Sequence, residues 1–204
     1  MRNNQEEKEV KFYLQNPHAL EKRLQTLNAE CIQPRTHELN LRLDTPDRKL
    51  SRTSQVLRLR KDVRNLLTYK GPSDPTSTVA SRRELEVEVS NFEESRTLLE
   101  ALGYQVFIQY EKYRTVYRLG KTDIFIDEMP FGNFLEIEGP DSVAIQAMAV
   151  EIGLDWEAHS NLSYLVLFEI LKKSCNLSTK HILFQLFKGK NFSAQDFGLR
   201  VADE

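Results

Sequence analysis

Residues 6–14 read EEKEVKFYL, and the reading of this stretch decides the fold. Taken with a period of two, Glu7, Glu9, Lys11 and Tyr13 fall on one side, and Val10, Phe12 and Leu14 on the other. A half-buried strand sends its apolar face to a core and its polar face to water. Here the polar face concentrates two carboxylates and an ammonium. It is either a solvated surface or the wall of a wet cavity in which the charges have work to do, and one strand cannot decide between them.

Other segments repeat the pattern. In HELNLRLDTPDRKL (37–50), Leu39, Leu41 and Leu43 alternate with Glu38, Asn40, Arg42 and Asp44 before a turn at Thr45-Pro46-Asp47. VLRLRKDVRNLLTYKG (56–71) reads as a hairpin with Arg58 and Arg60 on one arm and Lys70 on the other. SRRELEVEVS (81–90) sets Glu84, Glu86 and Glu88 against Leu85, Val87 and Val89. FIQYEKYRTVYRL, TDIFIDEM and NFLEIEG supply three more strands, the last with Glu136 and Glu138 opposite Leu135 and Ile137. Between them lie helices. NPHALEKRLQTLNA (16–29) has Asn16 as N-cap and Pro17 at the first helical position. NFEESRTLLEALGY (91–104) is capped by Ser90 or Asn91 and stopped by Gly103. Two later helices are expected over about 141–153 and 160–173, and KHILFQLF (180–187) reads as a docked amphipathic helix rather than a membrane anchor.

If helices cover the apolar sides of the strands, the charged sides must turn towards one another, which predicts an α+β barrel or channel with a polar lumen. Carboxylates at i and i+2 of a strand, as in Glu7 with Glu9 or Glu136 with Glu138, suit a hard divalent cation such as Mg²⁺ or Mn²⁺. Lys11, Arg58, Arg60, Lys70, Lys112 and Arg114 suit phosphate oxygens, the arginines as forks and the lysines as point charges. A polyphosphate or nucleotide triphosphate carrying its metal needs both classes at once. The competing account of Arg58 and Arg60 is cross-strand pairing with Glu84 or Glu86. His18, His37, His159 and His181 are scattered and receive no catalytic role, and Trp156 and Tyr164 are read as packing.

The chain has 204 residues, 40% of them hydrophobic, enough for one domain with a sizeable core. Its 28 basic and 30 acidic residues nearly cancel to −2, so no global field draws in nucleic acid or an anionic membrane. Cys31 and Cys175 share no metal-site or disulfide spacing. No signal peptide or membrane span is legible, and a cytoplasmic location is expected.

The segments EKEVK, LRLR, TYKGP, RRELEVEV, KYR, IFIDEM and GNFLEIEG, in this order, resemble the CYTH superfamily, the triphosphate tunnel metalloenzymes. The resemblance is nearest to the bacterial class IV adenylyl cyclase-like branch. It implies an antiparallel eight-stranded tunnel with helices outside, spanning residues 1–171, followed by a helical extension and tail over 172–204. It also implies that Glu7, Glu9, Asp127, Glu136 and Glu138 are metal-side carboxylates. Lys11, Arg58, Arg60, Lys70, Lys112 and Arg114 become the substrate-binding and catalytic cations, with Mg²⁺ or Mn²⁺ as cofactor and a small-molecule triphosphate as substrate. Metal-dependent triphosphate hydrolysis is the leading expectation. Cyclisation of ATP to cyclic AMP and pyrophosphate is the alternative, and a noncatalytic polyphosphate- or nucleotide-binding module is the third. The apolar face of the late helices would serve either a homodimer or the cover of the barrel.

Overall fold

The computed structural model describes residues 6–72 and 80–203, with side chains described from Lys8 onward and, after residue 79, from Arg83 onward. The polar stretch GPSDPTSTVAS (71–81), with its two prolines, falls largely outside the described residues. The elements follow the chain as β1 (Glu6–Leu14), α1 (Pro17–Thr26), β2 (Glu30–Asp44), α2 (Lys49–Arg52), β3 (Val56–Lys61), β4 (Asn65–Lys70) and β5 (Ala80–Glu88). Then come α3 (Phe92–Ala101), β6 (Gln105–Leu119), β7 (Thr122–Met129), β8 (Gly132–Glu138), α4 (Ser142–Glu151), α5 (Tyr164–Ser174) and α6 (Phe184–Phe187).

The eight strands are antiparallel and close into a barrel in the order β1-β5-β4-β3-β2-β6-β7-β8. Closure is made by β1, which pairs with β5 through Glu6–Glu9 and with β8 through Glu9–Leu14. Closing the sheet leaves no open edge and forces each strand to choose an inner and an outer face. The alternation in EEKEVKFYL makes that choice. Val10, Phe12 and Leu14 point outward and are buried against Leu20 and Leu24 of α1 and Ile145, Met148 and Ala149 of α4. Burying a side chain such as Phe12 stabilises the fold by roughly 1.5–3 kcal/mol. A second outer cluster joins Leu41, Leu43 and Leu59 to Phe92 and Leu99 of α3. The outer face of β5 departs from the expected helical cover, since Leu85 and Val87 are 44% and 56% exposed.

The helix caps follow the sequence. Asn16 accepts from the Ala19 amide, Asp141 from Ala144, and Asn91, rather than Ser90, from Glu94. At the β7–β8 turn, Gly132 has φ +149°, and a Cβ there would stand 2.9 Å from the Tyr13 ring.

Toward one end of the barrel the inward faces change from charged to apolar. Tyr13, Ile108, Tyr110, Met129 and Phe134 join Leu167, Phe168 and Leu171 of α5 in one buried cluster. The chain after Ser174 packs on this cluster through Ile182, Phe187, Ala194 and Phe197. It is tied down by backbone bonds from Ile182 to Gln109 and from Glu111 to Ile182, and from Ala202 to Tyr13. The helix expected across KHILFQLF is confined to the single turn of α6, because Ile182 is extended alongside Tyr110. β2 also begins earlier than the alternation suggested, at Glu30, with register shifts around Gln33 that accommodate Pro34. Among the described residues no helix is long and apolar enough to cross a membrane.

Candidate active site

A cavity of about 360 Å³ runs inside the barrel, and nine of the expected site residues line it: Glu9, Lys11, Arg58, Arg60, Lys70, Lys112, Arg114, Glu136 and Glu138. Residues far apart in the chain meet because the strand register puts their inward faces side by side. Lys11 stands opposite Glu136 and Glu9 opposite Glu138 across β1 and β8, while Arg114 stands opposite Asp127 across β6 and β7. Two expected residues remain, Glu7 and Asp127. Glu7 belongs to β1 by its backbone, but its side chain lies outside the described residues. Asp127 is fully buried behind the lining and does not reach the cavity.

The wall formed by β1, β8, β7 and β6 is a self-satisfied ionic network. Lys11 Nζ lies 2.9 Å from Glu9 Oε1 and 3.1 Å from Glu136 Oε1. The guanidinium of Arg114 donates to the other Glu136 oxygen and forks onto Asp127, with Nε 2.6 Å from Oδ1. Asp127 also accepts from Lys112 Nζ at 2.8 Å and from the Tyr164 hydroxyl at 2.7 Å. Asp127 therefore orients two lumen cations from behind, instead of presenting oxygens to the cavity as the metal-side carboxylate the sequence suggested. Tyr164, read from sequence as packing, is the residue that seals this network. It opens α5, and its ring lies under the Lys11 and Lys112 ammoniums at 5.5 and 5.3 Å. Only the tertiary fold brings it there. Trp156 does pack, stacking on His159 at 4.4 Å.

These contacts fix the protonation states. Burial pushes the Glu136 carboxyl up, but Lys11 and Arg114 outweigh it and hold the pKa well below the carboxylate range. Glu9 is opposed by burial and still lowered, chiefly by Lys11. Burial disfavours the Lys11 ammonium, yet Glu136 and Glu9 raise its pKa. Burial next to Asp127 pushes the Tyr164 phenol well above its ordinary value, so it remains a hydrogen-bond donor.

The facing wall, β2 to β5, carries its own charge pairs. Arg58 donates to Thr68 at 3.3 Å, Thr68 donates to Glu86 at 2.9 Å, and Arg58 lies 3.8 Å from Glu86. The cross-strand pairing weighed from sequence thus exists, but at a long distance and inside the lumen. Lys70 pairs with Glu84, and Arg60 Nε lies 3.1 Å from Asp62. Glu38, on β2, also lines the cavity and was not singled out from sequence, where it looked like one more polar position in an alternating strand.

Among the described residues no three Asp, Glu, His or Cys groups converge tightly enough to hold a metal unaided. The donor chemistry nevertheless fits a hard cation of the Mg²⁺ class. Such an ion is commonly held by one or two carboxylates, several waters and substrate phosphate oxygens. Glu9, Glu136 and Glu138 offer oxygen ligands on adjoining strands of one wall.

The profile of the CYTH domain matches residues 5–159. A protein of Methanocaldococcus jannaschii named "Putative adenylate cyclase MJ0240" is 29% identical over 135 residues, 65% of this chain and 75% of that protein. Among solved structures, a "putative adenylate cyclase" from Vibrio parahaemolyticus superposes with TM-score 0.72 at 23% identity, covering 82% of this chain and 99% of its own. A Hippeastrum "putative adenylyl cyclase", described as revealing a dominant triphosphatase activity, superposes with TM-score 0.56 at 19% identity, covering 80% and 95%. At these identities the two structures speak for the fold.

Proposed function

The chain belongs to the CYTH domain family, and from that premise we propose that its lumen binds a triphosphate together with a divalent cation and hydrolyses a phosphoanhydride bond. The observation that carries this reading is the convergence of paired carboxylates and a set of lysines and arginines on one cavity inside a closed barrel.

In the reaction, a water oxygen bonds to the terminal phosphorus as the bridging P–O bond breaks. Triphosphate and water give orthophosphate and diphosphate. Arg58, Arg60, Lys70, Lys112 and Arg114 neutralise charge on the equatorial and leaving oxygens, and Lys11 holds its positive charge because Glu9 and Glu136 flank it. The depressed pKa values of Glu9 and Glu136 suit them to hold cationic charge and not to accept a proton. Glu9, Glu136 and Glu138 would hold the Mg²⁺ or Mn²⁺, and Glu7, two positions before Glu9 in the sequence, joins them in this reading. When bound, that ion supplies Lewis-acid polarisation of the phosphoryl oxygens and orients the attacking water.

The second reading is cyclisation of ATP, favoured by the name of the Methanocaldococcus relative. It uses the same cations, with the ribose 3′-hydroxyl attacking the α-phosphorus and pyrophosphate leaving. A module that merely binds phosphate would have no use for paired carboxylates on adjoining strands. Product analysis with Mg²⁺ and Mn²⁺ on tripolyphosphate, ATP and thiamine triphosphate separates the readings. Orthophosphate release supports hydrolysis, and cyclic AMP with pyrophosphate supports cyclisation. Binding without turnover overturns both. A cytoplasmic, reducing compartment suits the two free cysteines, Cys31 and Cys175.

A further inference from the structure

The carboxylate of Glu38 lies in the lumen among Arg60, Lys112 and Arg114. Its side chain is 1% exposed, and its oxygens lie 3.6 Å from Lys112 Nζ, 3.9 Å from Arg60 Nη1 and 4.0 Å from Arg114 Nε. Those distances are too long for hydrogen bonds, and among the described residues none donates one to Glu38 Oε2. The contrast with Asp127 is direct, because the same Lys112 and Arg114 grip Asp127 at 2.8 and 2.6 Å. The cations are therefore anchored on Asp127 from behind and only shared with Glu38 in front. Arg58, Arg60, Lys112 and Arg114 are the groups whose charge acts on Glu38, and they hold its carboxyl ionised against the cost of its burial. Asn40, next inward on β2, is fully buried, and among the described residues neither of its amide atoms has a hydrogen-bond partner.

We infer that Glu38 is a built-in counter-anion that sets ligand specificity: it occupies the charge position of a phosphoryl group among Arg60, Lys112 and Arg114, so the lumen disfavours metal-free phosphates and selects a triphosphate that brings its own divalent cation. The inference rests on the triphosphate reading of the lumen. A carboxylate is an acceptor only and cannot bond a phosphate oxygen. An entering phosphate chain therefore shares the cations with a fixed negative charge, unless a bound cation offsets that charge. Repulsion between like charges a few ångströms apart in a buried site is large enough to decide affinity.

The test is calorimetric titration of the full chain with tripolyphosphate at fixed ionic strength, once with excess Mg²⁺ and once with chelator, for wild type and Glu38→Gln. Glu38→Gln keeps the shape and removes the charge, and should tighten metal-free binding by roughly tenfold or more while changing the Mg²⁺-loaded affinity far less. The ratio of the two affinities is the readout, because a purely structural role for Glu38 would weaken both together. Thermal unfolding checks that the variant folds. If it does not, Asn40→Asp decides: a second negative charge at this wall should weaken metal-free binding by roughly tenfold and spare the Mg²⁺-loaded affinity. An unchanged ratio in the folded variant overturns the inference while leaving the triphosphate reading in place. Wild type that binds no tripolyphosphate even with Mg²⁺ overturns that reading, and the inference with it.

Discussion

Replacing Asp127 with Asn perturbs the lumen where the structure makes the largest demand. The aspartate is fully buried and accepts from Lys112, from Arg114 through two nitrogens, and from the Tyr164 hydroxyl. Asparagine has nearly the same shape, but it removes the negative charge and turns one acceptor into an NH₂ facing three donors. Breaking a buried ion pair by removing one partner costs about 3–5 kcal/mol, because the other charge stays buried without compensation. For a chain of this size each kcal/mol lowers the melting temperature by about 2–4 °C, so Asp127→Asn should melt about 6–20 °C below wild type. Urea unfolding followed by circular dichroism, with thermal unfolding alongside, measures both quantities. A loss below about 1 kcal/mol would refute the claim that Asp127 anchors the lumen cations.

Three further outcomes follow from the same geometry. Arg58→Ala should weaken Mg²⁺-tripolyphosphate binding by about tenfold or more, with a reduced salt dependence, and unchanged titration curves would remove Arg58 from the phosphate site. Glu136→Gln takes one of two carboxylate partners from Lys11 and from Arg114, leaving Glu9 and Asp127, and should cut metal-dependent turnover by about 10²-fold or more while the barrel still folds; wild-type rates would count against its role. The buried Glu38 carboxyl, opposed by burial but surrounded by Lys112, Arg114, Arg60 and Arg58, has its pKa lowered from 4.5 to about 2. A carboxyl depressed by folding contributes stability that is complete above pH 4.5 and is lost as the pH falls through about 2, here about 3 kcal/mol. Urea midpoints measured across that window should fall less steeply in Glu38→Gln than in wild type, and parallel curves would contradict the charge placement.

The barrel was legible because its inner and outer faces carry opposite chemistry in nearly every strand. The alternation of Glu9 and Lys11 with Val10 and Phe12 states in one segment what closure later enforces, and Asn16-Pro17 marks a helix start by local capping alone. What the sequence hid depends on tertiary position. Asp127 follows the inward parity of β7, but nothing local shows that Arg114, Lys112 and Tyr164 enclose it. Glu38 alternates like a surface residue, and its placement among cations appears only when β2 is laid between β3 and β6. Tyr164 has the sequence context of an apolar helix, which conceals a hydroxyl that reaches 37 residues back along the chain. The apolar run HILFQLF has helical spacing, but Ile182 instead pairs alongside Tyr110, in the part of β6 that precedes its pairing with β7.

The most direct test of the account is a crystal structure of the protein with Mg²⁺ and a non-hydrolysable tripolyphosphate analogue. The account predicts a phosphate chain inside the barrel, its oxygens on Arg58, Arg60, Lys70 and Arg114 and its cation against Glu9, Glu136 and Glu138. A chain bound on the outer surface, or a lumen that stays free of phosphate at saturating ligand, would contradict it.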